Sequence, residues 1–414
     1  MYTKQISIAF FFPYRSIGGA SILFLRLSEI LSKMCQVTLI DYEDGYMASR
    51  IPKGVFFLPV HKVNELAPES IVVFQSTPAW RIEALEKFPN SCKLFFWNLH
   101  PRNIYGPLLP NGSLQAMRNL INSFSGTRID KLKSYICWLI VNDAISFMDI
   151  ENLKATEHSL GSQLTGAQLL PLITDGPLSV LDLYAEPKPT AKKLNAIWIG
   201  RLESFKTPVL EKLIRDLSGI EGHSIRLTVV GEGEDKSLLE SVAANMSESL
   251  SVNFVGEMTG TALANEIVRS DVGFCMGTSA LDVAKYNVPT VCLDYSYEII
   301  NYPINYRFLF EVEGFTLARE LDGRSVLSGR KLSNLIDDIV GSKDLIASQC
   351  EDYWSINHSP RTVEHFIDRI SETKITFRGL KKKRFHKAPM QTRLINTLIF
   401  LSGRKSVETD VYKL

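Results

Sequence analysis

The sequence predicts an α/β protein of two doubly wound parallel-sheet domains in tandem, facing each other across a cleft. Three observations carry that expectation: a length of 414 residues, apolar runs that alternate with helical spacing, and a restart of the alternation after a Pro- and Lys-rich break. At about 100–200 residues per domain, the length asks for two or three cores. A 45% hydrophobic and 22% charged composition suits a folded chain and excludes both a disordered and a polytopic membrane protein.

Ile6 to Phe12 is one continuous apolar run closed by Pro13, as expected of a strand buried on both faces. Gly18 and Gly19 follow in a loop, and Ile22, Leu23, Leu27, Ile30 and Leu31 then recur at helical spacing. Val37 to Ile40 is the next strand, completing a strand, glycine loop, helix, strand unit of a parallel sheet. Further strands are expected at Ile71–Phe74, Leu94–Trp97, Ala144–Met148 and Gln168–Leu172. Tyr135 to Met148 is interrupted by Asn142 and Asp143 and is too short to cross a bilayer, so it reads as a core helix running into a strand.

Tyr184 to Lys193, with Pro187 and Pro189, is the expected linker. After it come strands at Ala196–Ile199, Arg226–Val230, Val252–Val255, Val272–Cys275 and Thr290–Leu293, with helices near 209–217, 236–246, 262–268 and 280–286. The expected domains are therefore 1–185 and 190–350, with an amphipathic helix over 351–372 and a basic tail over 373–414. Ligands of such Rossmann-like sheets bind beyond the carboxyl ends of the strands.

Charge is uneven. Net charge is +1, yet ten of the 46 Lys and Arg fall between Lys374 and Lys405 with no Asp or Glu among them. With Leu394, Ile395, Leu398 and Phe400 interspersed, residues 374–405 read as a segment for an anionic membrane surface on the cytoplasmic side. Nucleic acid is not expected, because no aromatic interleaving accompanies the charge. The six cysteines are dispersed with no Cys-x-x-Cys pair, as in a reduced, zinc-free protein.

The chemistry concentrates at strand exits. Gly200-Arg201-Leu202 leaves an apolar strand and is followed by Lys206, presenting two cations where a departing diphosphate gains negative charge. Gly231-Glu232-Gly233 and Gly256-Glu257 are further glycine exits, and Gly277-Thr278-Ser279-Ala280-Leu281-Asp282 joins a strand to a helix whose first amides suit a phosphate. In these segments the second half resembles the nucleotide-binding domain of GT-B glycosyltransferases, especially retaining family 4, of the bacterial capsule, O-antigen and lipopolysaccharide type.

The resemblance implies a Rossmann-like GT-B fold, a nucleotide diphosphate sugar as donor, and a glycan or lipid-linked acceptor. It makes Arg201 and Lys206 the diphosphate contacts, and Gly200, Gly231, Glu232, Gly256, Gly277, Thr278, Ser279, Ala280, Leu281 and Asp282 the donor cradle, with Asp282 toward the ribose. The family's glycine after the lysine is replaced by Thr207 and Pro208, and its first acid, eight positions before Asp282, by Phe274. Gly18 and Gly19 match its first glycine-rich loop, and His100, after Leu94–Trp97, is the acceptor-side candidate for holding a hydroxyl proton. With no Asp-x-Asp pair, no metal is expected, and no cofactor beyond the co-substrate. Two other readings stay open: sugar-nucleotide epimerisation, and an inactive scaffold in a polysaccharide assembly complex.

Overall fold

The structure, a computed structural model, describes residues 6–100, 104, 125–178, 193–203, 205–321, 323 and 328–389. The chain divides into two units, one formed by residues 1–175 with 362–414, the other by residues 176–361. The expected linker at 184–193 lies, apart from Lys193, outside the described residues. Among the described residues no helix is long and apolar enough to cross a membrane, and all six cysteines are free thiols.

The first unit is built on seven parallel strands: β1 (Ser7–Phe11), β2 (Gln36–Asp41), β3 (Phe56–Pro59), β4 (Ile71–Gln75), β5 (Lys93–Asn98), β6 (Ile145–Phe147) and β7 (Gln168–Leu169). Their order is β3-β2-β1-β4-β5-β6-β7, so the winding reverses between β1 and β4. Successive strand residues point to opposite faces, and here both faces are covered. Ile8, Phe10, Val73, Phe95 and Trp97 belong to one apolar layer. Ala9, Phe11, Val72, Phe74, Leu94 and Phe96 belong to the other. That double burial is why these strands read as unbroken apolar runs.

Helix α1 (Gly19–Leu31) starts earlier than its apolar spacing suggests: Gly18 is the cap and Gly19 already lies in the first turn. The expected helix before β6 is α2 (Ser125–Val141), whose Leu132, Tyr135, Ile136 and Leu139 are buried at helical spacing. Asn142 and Asp143 make the turn into β6, with Asp143 at φ +55°. Helix α3 (Ile150–Leu160) is capped by Asp149, whose carboxylate accepts the Asn152 N–H at 2.7 Å.

The second unit repeats the pattern with β8 (Lys193–Ile199), β9 (Ser224–Val230), β10 (Leu250–Gly256), β11 (Val272–Cys275) and β12 (Thr290–Cys292), all parallel, and an antiparallel edge strand β13 (Arg307–Phe308). The order β10-β9-β8-β11-β12-β13 reverses the winding between β8 and β11. Its helices are α4 (Thr207–Ser218), α5 (Lys236–Ala243), α6 (Gly260–Val268), α7 (Thr278–Ala284) and the long, kinked α8 (Leu332–Asn357).

Two expectations about the end of the chain are corrected. The helix expected across 351–372 is not continuous. α8 ends at Asn357, a turn follows through Pro360, and α9 (Val363–Ser371) begins separately. Proline has no N–H for a helical ladder, which accounts for the break. The segment expected as a basic tail from residue 373 is, as far as residue 389, an integral part of the first unit. The Leu94 N–H donates to the Ile375 carbonyl at 2.9 Å, and the Phe377 N–H to Cys92 at 3.0 Å. Helix α10 (Phe377–Lys382) then buries Phe377 and Leu380 completely. Residues 390–405, the rest of the expected membrane segment, lie outside the described residues.

This returning segment supplies both layers of the sheet it joins. Phe366 and Ile370 of α9 pack into the layer of Phe10 and Trp97, with the Phe366 and Trp97 rings 5.2 Å apart. Ile375, Phe377 and Leu380 pack into the layer of Phe96 and Tyr135. Between them, buried Arg369 donates to the Ile145 carbonyl, the Asp143 carbonyl and the Ser146 hydroxyl at 2.9, 3.1 and 2.9 Å. Glu372 accepts a fourth hydrogen bond at 2.9 Å, and a guanidinium so well supplied with acceptors is inexpensive to bury.

Asp149 gives this unit a measurable pH signature. Burial pushes its carboxyl up from 3.8 to about 7, opposed by the Asn152 N–H and aided by the charge of Glu151. A carboxyl raised on folding stabilises below its unfolded value and loses that contribution as pH rises through its folded value. Asp149→Asn keeps a capping oxygen but cannot ionise, so it should gain on the wild type between pH 3.8 and about 7. Urea unfolding across that window checks this; a pH-independent difference would contradict it.

Candidate active site

The site-bearing segments of the second unit leave neighbouring strands at the same end of the sheet. Ile199 is paired with Val230 on one side and Cys275 on the other. Gly200, Gly231 and Met276 are the next residues of three adjacent strands, at the point where the winding reverses. Such a point is the crevice where doubly wound sheets take ligands.

Glycine is required here by backbone crowding. A Cβ on Gly231 would lie 1.8 Å from the Gly200 carbonyl oxygen, and one on Gly233 would lie 2.0 Å from that of Leu202. The two turns are laced together: Gly200 N–H to the Val230 carbonyl at 3.0 Å, Leu202 N–H to Glu232 at 2.9 Å, and Gly231 N–H to Gly256 at 2.8 Å. Gly231 has φ +144° and Gly256 φ +79°, conformations costly for a side chain. Gly256 also lies under Glu232, whose Oε1 would be 3.1 Å from an added Cβ. These glycines of the expected donor cradle thus fix the shape of the Arg201 turn.

Lys206 folds back over Gly200, its Nζ 3.3 Å from where a Cβ on that glycine would stand. Burial holds its ammonium pKa below 10.5, Glu203 opposes the fall, and Arg201 adds to it. Arg201, with its side chain 62% exposed, has its guanidinium 3.2 Å from the Glu203 carboxylate. Thr207 and Pro208, standing where a glycine was expected, form the first turn of α4 with Lys206 as its cap. Proline suits that position because its missing N–H has no intrahelical partner there.

On the β11 side, Gly277 adopts φ +65° and α7 follows for seven residues. The Ser279 hydroxyl donates to the Met276 carbonyl at 2.9 Å, and the Ala280 N–H to Gly277 at 3.1 Å. Thr278 begins the helix, while Ala280 and Leu281 are fully buried. The Asp282 carboxylate is engaged by Lys285 at 2.9 Å, so an approaching hydroxyl would share it with that ammonium. The Cys275 thiol is pushed far up by burial, raised further by Cys292, lowered by Ser279 and raised by Asp282. It is neutral and offers Lys206 no counter-charge. At the β8 exit Arg201 and Lys206 are therefore set against Glu203, a surplus of positive charge at that turn.

In the first unit, Gly18 and Gly19 sit at the exit of β1 and His100 just beyond β5, all at carboxyl ends of the sheet. His100 is exposed. An added Cβ at Gly19 would meet nothing within 4 Å, and Gly18 is extended, so neither needs to be glycine for its own conformation. Asn98, Asp149, Asn152 and Thr156 form a buried polar cluster at the same edge, with Asn98 donating to Asn152 at 2.7 Å.

Sequence reasoning missed the elements around β12. Asp294 is 6% exposed, held by both arms of Arg307 at 2.7 Å each and by Arg319 at 3.0 Å. It orders the loop carrying Tyr295 and Tyr297. Nothing in the local pattern couples residues 13 and 25 positions apart.

No protein-family model matches this sequence, and no curated protein matches it. Solved structures do match. A glycosyltransferase from Rickettsia africae superposes with a TM-score of 0.59 at 12% identity, over 91% of this chain and 100% of its own. HepE from Anabaena, solved with UDP-glucose, gives 0.51 at 14% identity, over 89% and 99%. The same protein with UDP and glucose gives 0.51 at 13%, over 88% and 98%. The chain has the mixed α/β fold of the GT-B glycosyltransferases, with two parallel-dominated sheets.

The glycine contact is open to direct measurement. Gly231→Ala must push the β8 and β9 exits apart and should cost about 1–3 kcal/mol or more in urea unfolding. Gly341→Ala, in a helix with nothing within 4 Å of the new methyl, should be neutral or stabilising. Equal stability of the two variants would dismiss the crowding argument.

Proposed function

We propose that the chain is a family 4-like glycosyltransferase. It moves a sugar from a nucleotide diphosphate sugar to a hydroxyl of a glycan or lipid-linked acceptor, with retained configuration, in cell-surface polysaccharide synthesis. The observation that carries this reading is the positively charged exit of β8, where Arg201 and Lys206 project from a backbone that glycine contacts hold fixed. HepE, which shares the fold, was solved with UDP-glucose and with UDP and glucose, and that supports a nucleotide sugar as the donor.

Breaking the bond between the sugar and the diphosphate leaves the electron pair on a phosphate oxygen. Arg201 offers a planar fork of donors to that group, and Lys206 a compact charge in a partly desolvated setting, where Coulomb attraction is stronger than in water. Cations already in place supply the stabilisation that a metal supplies elsewhere, so the reaction is proposed to run without one. The backbone amides near Thr278 and Ser279 face the same phosphates. His100 takes the acceptor-side role of holding the hydroxyl proton.

Arg201→Ala should lower turnover of the nucleotide sugar by roughly 10²–10³-fold, in assays with or without a metal chelator. Wild-type turnover in the variant would remove the diphosphate assignment. Loss of wild-type activity in chelator alone would remove the metal-independent part.

The partner surface is proposed to be the cytoplasmic face of a membrane. Arg378, Lys382, Lys383, Arg384 and Lys387 are exposed around α10, which is anchored through Phe377, Leu380 and the contact of Phe385 with Trp138 at 5.2 Å. Each such charge near anionic lipid contributes about 1 kcal/mol. Replacing Lys382, Lys383 and Arg384 together by Gln should weaken co-sedimentation with phosphatidylglycerol vesicles and leave the background on phosphatidylcholine unchanged. Undiminished binding would assign attachment elsewhere.

A further inference from the structure

The β12 exit carries a feature that the diphosphate reading does not use. Phe205, next to Lys206, has its ring centre 5.6 Å from the lysine ammonium. It meets Tyr295 edge-on at 6.2 Å and Tyr297 at 6.2 Å, while the two tyrosines stand perpendicular at 6.0 Å. Phe205 and Tyr295 are rooted in the apolar core of the unit. Tyr297 is 50% exposed, with Ile299 beside it 77% exposed.

The loop that displays Tyr297 is held from several sides. Asp294, immediately before it, is clamped by Arg307 and Arg319. The Tyr295 N–H donates to the Arg319 carbonyl and the Leu321 N–H to the Tyr295 carbonyl, both at 2.8 Å. The Ser296 N–H donates to the Phe205 carbonyl at 3.2 Å, and the Ser296 hydroxyl to the Glu298 carbonyl at 2.8 Å. An apolar ring kept half in water by a rigid loop gives up the burial it could have gained by folding down. A ring presented in this way, against the Phe205 ring that neighbours the Lys206 ammonium, suits a partner with a flat apolar face.

We propose that Tyr297, backed by Phe205 and Tyr295, is the platform on which the pyranose ring of the donor stacks. This deepens the glycosyltransferase reading and rests on it. The sheet order argues for the sugar over the base. The diphosphate lies between the two rings of a nucleotide sugar, so clamping it at the β8 exit sends them toward different flanks. The β9 and β10 exits turn at Gly231 and Gly256, with Glu232 over Gly256, and residues 231–236 and 256–260 carry no aromatic ring. The aromatic step stands on the opposite flank, beyond β11. The C–H face of a pyranose stacks on tyrosine while its hydroxyls remain in water, and exposed Glu298 stands next in the chain to receive them.

The test uses the full chain and its Tyr297→Ala and Tyr297→Phe variants. Calorimetric binding is measured for UDP, GDP and ADP and for UDP-glucose, GDP-mannose and ADP-glucose. For the nucleotide that wild type binds, Tyr297→Ala should weaken the sugar-bearing form about fivefold to tenfold, as for one lost ring contact, and leave the free diphosphate unchanged. Tyr297→Phe should restore binding. Equal losses for both forms would move the platform to the base and overturn the proposal, as would no loss at all. Wild type binding none of the six would overturn the nucleotide-sugar reading itself and the platform with it. Thermal melts of the variants should match wild type, because the ring is half in solvent.

Discussion

The closest constraint in the second unit is between two backbones. Gly231 and Gly233 lie so near the carbonyls of Gly200 and Leu202 that no side chain fits between the two turns. Hydrogen bonds across the gap then leave the β8 turn little freedom. The cations depend on this. Arg201 alone is a surface charge with a nearby carboxylate, of small energetic weight in water. Carried on a turn that cannot deform, it is aimed, and the same turn lets Lys206 lie across Gly200.

Electrostatics at the same place follow from burial. Lys206 is held partly out of water beside a thiol that burial keeps neutral, and its pKa falls for lack of solvent. On the far flank the balance differs: Asp294 is surrounded by two guanidiniums with aligned donors, the geometry in which a buried carboxylate is tolerated. One arrangement is left charge-poor in anions; the other is closed.

Much of this was legible in the sequence for a physical reason. Strands covered on both faces must be apolar throughout, so β1, β4, β5, β8, β9 and β11 appeared as runs, and the glycine exits stood out between them. Two of the edge strands gave no such signal. β3 and β13 are short, with a neighbour on one side only. The long helix Leu332–Asn357 shows one apolar face broken by polar residues and a kink at Ser342, so its periodicity does not stand out in the sequence. The basic segment after residue 373 misled because its few apolar residues, Ile375, Phe377 and Leu380, carry the packing while the many lysines only cover it. The Phe205, Tyr295 and Tyr297 group brings together residues some 90 positions apart, beyond any local periodicity.

The returning segment also sets an order of assembly. The second unit is one continuous stretch, residues 176–361, whereas the first has both core layers completed by residues 363–380. On a ribosome the amino-terminal sheet emerges first but stays unfinished, with Trp97 lacking Phe366 and the Leu94 N–H lacking the Ile375 carbonyl, until the whole second unit has been made. Domains usually mature in the order of synthesis. Here the later-encoded unit can close first, and the earlier one waits for the last helices to seal it.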